Sequence, residues 1–244
     1  MAGRGVESRK IKQLQRTGSF HMPKTTAEVA KELARLSSDC SFLLTHLIRQ
    51  NDEKSDADAK NILSQILNLA GAPPQPLLKA SSSGWYGTTS PNIFNPVTRD
   101  FDGPSNDKAV CFTESTLAGL KAHRDIFNAK YGVAFDRDLL FTKGANPCLN
   151  VRESLLKASF TCNGEMYSRS VFNFIPHQLH PFVNIIHESF DATHEREWRV
   201  PGDLAFTPAE LLFVFCPADD FAHFASIQSA AKPVLFDLAW LDRV

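Results

Sequence analysis

The sequence predicts an α+β fold, one domain around a mixed sheet with a helix ahead of it. Three observations carry this. Short apolar runs of buried-strand length recur along the chain and alternate with short amphipathic stretches of helical spacing. Hydrophobic residues make up 43% and charged residues 22%, the balance of a globular rather than a disordered chain. The longest apolar stretches, such as Leu211–Cys216, fall far short of the ~20 residues of a membrane span. At 244 residues the length fits one large domain with an appendage, here a flexible basic arm (1–24) before a single domain (25–244).

The arm carries Arg4, Arg9, Lys10, Lys12 and Arg16 against Glu7, which reads as a solvated segment more readily than as a nucleic-acid contact. Thr25 and Glu28 form a candidate capping box, and Val29, Leu33 and Leu36 then recur at helical spacing, predicting a helix over 26–37. The apolar run 41–48 reads as a buried strand. Ile62, Leu63, Ile66 and Leu69 share one face of a helix over 56–69, with Gly71 as its stop and Pro73, Pro74 and Pro76 beyond. The stretch 81–107 is long and rich in Ser, Gly, Thr, Asn, Asp and Pro. Loops of that length are more often functional than accidental, so it is a candidate lid carrying Trp85 and Tyr86. Strands are expected at 109–113, 131–136, 147–151, 196–200, 211–216 and 234–238. Helices fit 115–128 and 218–230, with a turn near 137–142, while 153–194 has no clear period.

Charge and cysteines bound the function. A formal net charge of -1 argues against a protein built mainly to grip nucleic acid. Cysteines stand at 40, 111, 148, 162 and 216 with no C-x-x-C pair, and no secretory apolar segment opens the chain, so a reducing, cytoplasmic setting without a membrane is expected. His177 and His180 form H-x-x-H, but Pro176 and Pro181 flank them and no H-E-x-x-H is present, so no metal is expected. A Gly-rich phosphate loop and a G-x-S-x-G elbow are both missing from the sequence.

The segment Glu195-Arg196-Glu197-Trp198-Arg199 is the most informative for chemistry. In a strand, Glu195 and Glu197 share a face. Two like charges there demand a cation or ligand nearby, unless the strand is simply a solvated edge. Trp198, on the other face, reads as core. Arg199 shares the face of Glu197, where it either clamps a phosphate or pairs with that carboxylate. His46, late in an apolar strand, is either a core histidine or a ligand-facing one. Thr113 and Ser115 are either caps of the following helix or hydroxyls lining a cleft.

Several pieces in order resemble the AbiGi-type abortive phage infection family. They are Phe42-Leu43-Leu44-Thr45-His46, Val110-Cys111-Phe112-Thr113-Glu114, Tyr131-Gly132-Val133-Ala134-Phe135, Asn146-Pro147-Cys148-Leu149-Asn150-Val151 and the segment 195–199. The resemblance covers about residues 40–216. That family is in turn distantly similar to ADP-ribosyltransferases, in which a split pair of mixed and antiparallel sheets holds NAD. The resemblance implies NAD as substrate, Glu197 as the catalytic carboxylate and Glu195 as its acceptor-side partner. It further implies His46, Thr113, Ser115 and Arg199 around NAD, with Trp85 or Tyr86 stacking on nicotinamide. The implied activity is transfer of ADP-ribose to a protein or nucleic acid in bacterial anti-phage defence. Because members of the family are labelled antitoxins, the resemblance also implies an alternative, a non-catalytic interaction protein with a cognate toxin or antitoxin partner.

Overall fold

The computed structural model describes residues 41–50, 54–71, 75–81, 93–95, 100–102, 108–156, 159–162, 165–168, 177–186, 196–228 and 233–243. The expected helix over 26–37, the arm, Trp85, Tyr86 and Glu195 lie outside them. In chain order the elements are β1 (Leu43–Leu47), α1 (Asp56–Ile66), β2 (Leu77–Leu78), β3 (Ile93–Asn95), β4 (Asp100–Asp102), β5 (Ala109–Glu114) and α2 (Leu117–Phe127). Next come β6 (Gly132–Asp136), α3 (Arg137–Thr142), β7 (Asn146–Pro147), β8 (Leu149–Arg152), α4 (Glu153–Leu156), β9 (Ser159–Cys162) and β10 (Glu165–Ser168). The last are β11 (Val183–Ile186), β12 (Glu197–Pro201), β13 (Leu204–Ala205), β14 (Leu211–Phe215), α5 (Phe221–Phe224) and β15 (Val234–Phe236).

Seven strands build the main sheet in the order β15-β14-β6-β1-β5-β12-β7. Every neighbouring pair is antiparallel except the edge pair β14–β15. The chain is therefore a mixed α/β protein with a mostly antiparallel sheet and a few short helices. No helix among the described residues is long and apolar enough to cross a membrane.

β6 shows why the sheet is centred where it is. Gly132, Val133, Ala134 and Phe135 are all buried, so both alternating sets of side chains need cover. On one face, Val133 and Phe135 join Leu44, Val110, Phe112, Val200, Leu211 and Val214 in the main core, closed by Leu63 and Leu67 at the end of α1. Phe135 meets Phe112 and Phe206 edge-on, with ring centroids 5.8 and 5.1 Å away. On the other face, Ala134 and Phe215 pack with Leu120 of α2 and with Leu238 and Leu241 of a 3-10 segment, Leu238–Arg243. A register shift between Leu211 and Phe213 turns both Leu211 and Val214 toward the main core.

Several expected elements differ in form. The stretch 147–151 divides at Cys148, with β7 on the main sheet and β8 pairing in parallel with β11. The expected turn near 137–142 is a helix, because Asp136 caps it by accepting from the Leu139 N–H at 3.0 Å. The expected helix 218–230 is three single turns, Ala218–Asp220, α5 and Ala225–Ile227. Phe224 and Ile227, both buried and three apart, suit the tighter winding. Helix α1 ends at Ile66, and Asn68 (φ 57) takes the first left-handed position ahead of Gly71.

One polar network joins α1 to the main body. The Asp220 carboxylate accepts from Lys60 Nζ at 2.6 Å and from the Tyr131 hydroxyl at 2.6 Å. Partial burial would lift the Asp220 carboxyl, but the Lys60 and Tyr131 hydrogen bonds outweigh it and hold the pKa below the usual carboxylate value. The stabilisation from this depressed pKa is present above the unfolded value of 3.8 and is lost as pH falls through the folded value. Asp220→Asn is expected to cost about 2–3 kcal/mol at neutral pH and much less in acid, because it removes charge-assisted bonds that acid also removes. Urea titrations of both proteins across the acid range check this, and parallel stability curves would refute it.

Candidate functional site

The register fixes which side chains can meet. Thr113 of β5 lies directly opposite Thr45 of β1 on one side and opposite Glu197 of β12 on the other. Directly paired residues share a face, so Thr45, Thr113 and Glu197 form a row across three adjacent strands. One step along, Cys111 lies opposite Arg199 on the same face. The row is unevenly accessible. Thr45 and Ser115 are each 2% exposed and are joined hydroxyl to hydroxyl at 2.7 Å, whereas Thr113 is only half-buried and the Glu197 side chain keeps 13% of its exposure. Helix α2 is capped by Thr116, which accepts from Gly119 N–H at 3.1 Å, so neither Thr113 nor Ser115 serves as its cap.

Arg199 pairs with Glu197. Its Nε donates to Oε1 at 2.9 Å and its Nη2 to Oε2 at 2.8 Å, a bidentate fork. Nη1 donates to the Pro181 and Val183 carbonyls, both at 2.9 Å, and the side chain is 1% exposed. Burial alone would lower the guanidinium pKa, but the carboxylate outweighs it and the pKa rises above its ordinary value. Of the two partners read from the sequence for Arg199, the carboxylate of Glu197 is the one it holds in the structure.

His46 does not join this row. It lies opposite Val133 of the main core, and its ring meets Phe112 edge-on with centroids 5.9 Å apart. Its face is therefore the one opposite Glu197, and the expected convergence of imidazole and carboxylate on one face is corrected by the register. The ring occupies a seam instead. β1 and β5 pair through only two positions, Leu44–Glu114 and Thr45–Thr113. Farther along, Ser81 takes over from β1 and exchanges backbone hydrogen bonds of 3.1 and 3.2 Å with Ala109. Between these contacts the Cys111 carbonyl bonds to His46 Nδ1 at 2.8 Å. Removal from water outweighs this bond and draws the imidazole pKa below its ordinary value. In the resulting neutral ring, Nδ1 carries the proton and donates it to Cys111, which leaves Nε2 as an acceptor.

Two thiols flank the ion pair. Cys111 lies beside it, and Cys148 donates its N–H to the Glu197 carbonyl at 2.8 Å. Burial, aided by Glu197, pushes the Cys111 thiol up to about 12, and burial pushes Cys148 up as well. Both are protonated at neutral pH and are poor nucleophiles. Sequence reading missed Thr45 and Cys111 as members of this face. The alternation within Leu43–Leu47 and Ala109–Glu114 contained the signal, but only a known register could say which half of each strand looks toward Glu197.

No protein family, curated protein or solved structure matches the chain.

Proposed function

We propose that the chain is an NAD-dependent ADP-ribosyltransferase-like effector of bacterial anti-phage defence, transferring ADP-ribose to a macromolecule. One observation carries this reading. β1 with Thr45, β5 with Thr113 and β12 with Glu197 are immediate neighbours, and β1 and β5 pair through only two positions. The shared order of these three strands is what supports the likeness to ADP-ribosyltransferases that the resemblance implies. Thr113 and Glu197, the less buried members of the shared row, are the side chains this reading assigns to the ligand.

The chemistry follows from the carboxylate. Breaking the nicotinamide–ribose bond expels neutral nicotinamide and builds positive charge on the ribose carbon. A carboxylate fixed in advance beside that carbon stabilises the charge without reorganising. Arg199 fixes Glu197 in this way. A carboxylate has about four lone-pair directions, and the fork uses one on each oxygen, so acceptor capacity remains for a ribose hydroxyl. The acceptor's nucleophile then attacks the same carbon and releases a proton.

The test is incubation of the full-length protein with labelled NAD and bacterial extract. Labelled product is expected, with kcat falling about 10²–10³-fold in Glu197→Gln while the thermal transition stays cooperative. No turnover by the wild type, alone or with a genetic partner, would sink the reading. A second reading, the non-catalytic interaction protein with a toxin or antitoxin partner, is favoured by the pairing of Glu197 with Arg199 and by His46 on the other face. It requires that Glu197→Gln leave phage protection unchanged.

A further inference from the structure

Glu114 stands at the end of β5, one residue beyond Thr113 and on the face opposite Glu197. The side chain is 10% exposed, yet it is faced by three donors from two segments of the chain. Oε1 accepts from the Ser41 N–H at 2.9 Å, just before β1. Oε2 accepts from the Trp198 indole at 3.0 Å. Arg196 Nη1 lies 3.8 Å from Oε1, and the Glu114 N–H donates to the Arg196 carbonyl at 3.2 Å. Arg196 and Trp198 are the residues immediately before and after Glu197. Arg196 has a φ of 43, a left-handed conformation uncommon for a side chain of this size. Such strain persists only where surrounding contacts enforce it.

We propose that Glu114 is a positioning residue for Glu197: from behind the sheet it grips both neighbours of that glutamate and ties them across the seam to Ser41. Arg199 orients the Glu197 carboxylate from the front, and Glu114 sets the backbone from which that carboxylate projects. The left-handed turn at Arg196 is the bend this grip maintains, and it delivers Glu197 to β12 in register with Thr113. The inference rests on the proposed reaction for its kinetic consequence and on the hydrogen bonds alone for its structural one.

The experiment compares the full-length wild type with Glu114→Gln, Trp198→Phe, Arg196→Val and Arg196→Gly. Glu114→Gln places an amide N–H₂ where one of two N–H donors now finds an acceptor. It is expected to lower kcat for NAD turnover about tenfold or more, with KM for NAD within about twofold. Trp198→Phe, which removes one donor and keeps an aromatic ring, should lower kcat in the same sense. Arg196→Val, which resists positive φ, should be about tenfold slower than Arg196→Gly, which accepts it. A second readout needs no activity. The Arg199 Nε–H resonance reports the fork to Glu197 and is expected to shift in Glu114→Gln. An active wild type with an equally active Glu114→Gln overturns the proposal. If the wild type itself turns over no NAD, the proposed function fails, and an unmoved Arg199 resonance in Glu114→Gln then overturns the positioning role independently.

Discussion

Replacing Arg199 with Met is expected to destabilise the protein by about 3–5 kcal/mol, the cost of leaving one member of a buried ion pair alone. For a chain of this size that corresponds to a fall of about 6–20 °C in Tm. The magnitude comes from the position of the group. Arg199 is 1% exposed, both Glu197 oxygens rely on it, and the Pro181 and Val183 carbonyls lose their donor as well. Removing the carboxylate too, in Arg199→Met/Glu197→Leu, should recover part of the loss, since well-packed apolar replacements of buried pairs are often tolerated. Chemical denaturation of both variants measures this. A single variant within about 1 kcal/mol of wild type would show that the fork contributes little.

Gly132→Ala is expected to cost about 3 kcal/mol or more, although it adds one methyl group. A Cβ at this position would lie 2.5 Å from the His46 carbonyl oxygen, 2.9 Å from Leu47 Cδ2 and 3.0 Å from Leu47 Cα. Two of those three atoms are backbone and cannot swing aside. The methyl must push β1 away from β6, the ladder that pairs Leu43–Leu47 with Asp136–Gly132. A lowered denaturant midpoint with an unchanged m value is the expected result. A midpoint equal to wild type would show that the two strands separate there at little cost.

Much of the sheet was legible in the sequence because strand existence depends on local composition. The runs around 43–47, 109–114, 132–136, 197–201 and 211–215 read as strands and are strands. Trp198 was legible as core for the same reason, since it alternates with the charged residues around it. That His46 and Glu197 stand on opposite faces was not legible, because it depends on register, and a one-residue offset exchanges the two faces. Register here is set by the full-length pairing of β1 with β6 and by where β5 leaves β1 for Ser81, contacts between residues far apart in the chain. Arg199 was readable as a partner of Glu197 from its spacing of two. That it would also reach the carbonyls of 181 and 183 was beyond any local pattern. Glu114 was visible only as part of a motif, since the donors around it come from residues 41, 196 and 198.

The meeting of β1 and β5 has a mechanical consequence. A ladder of two residue pairs resists shear and twisting far less than the five-pair ladders on either side of it. The pair β12-β5 and the group β1-β6-β14 are each held by longer ladders, so the line between β1 and β5 is where they yield most readily to a change of mutual angle. Beneath that line the main core is continuous from Val110 and Phe112 to Leu44 and Phe135, so such yielding would work like a book opening on a glued spine. Compliance inside the sheet falls on this crease, one strand away from the Glu197–Arg199 pair.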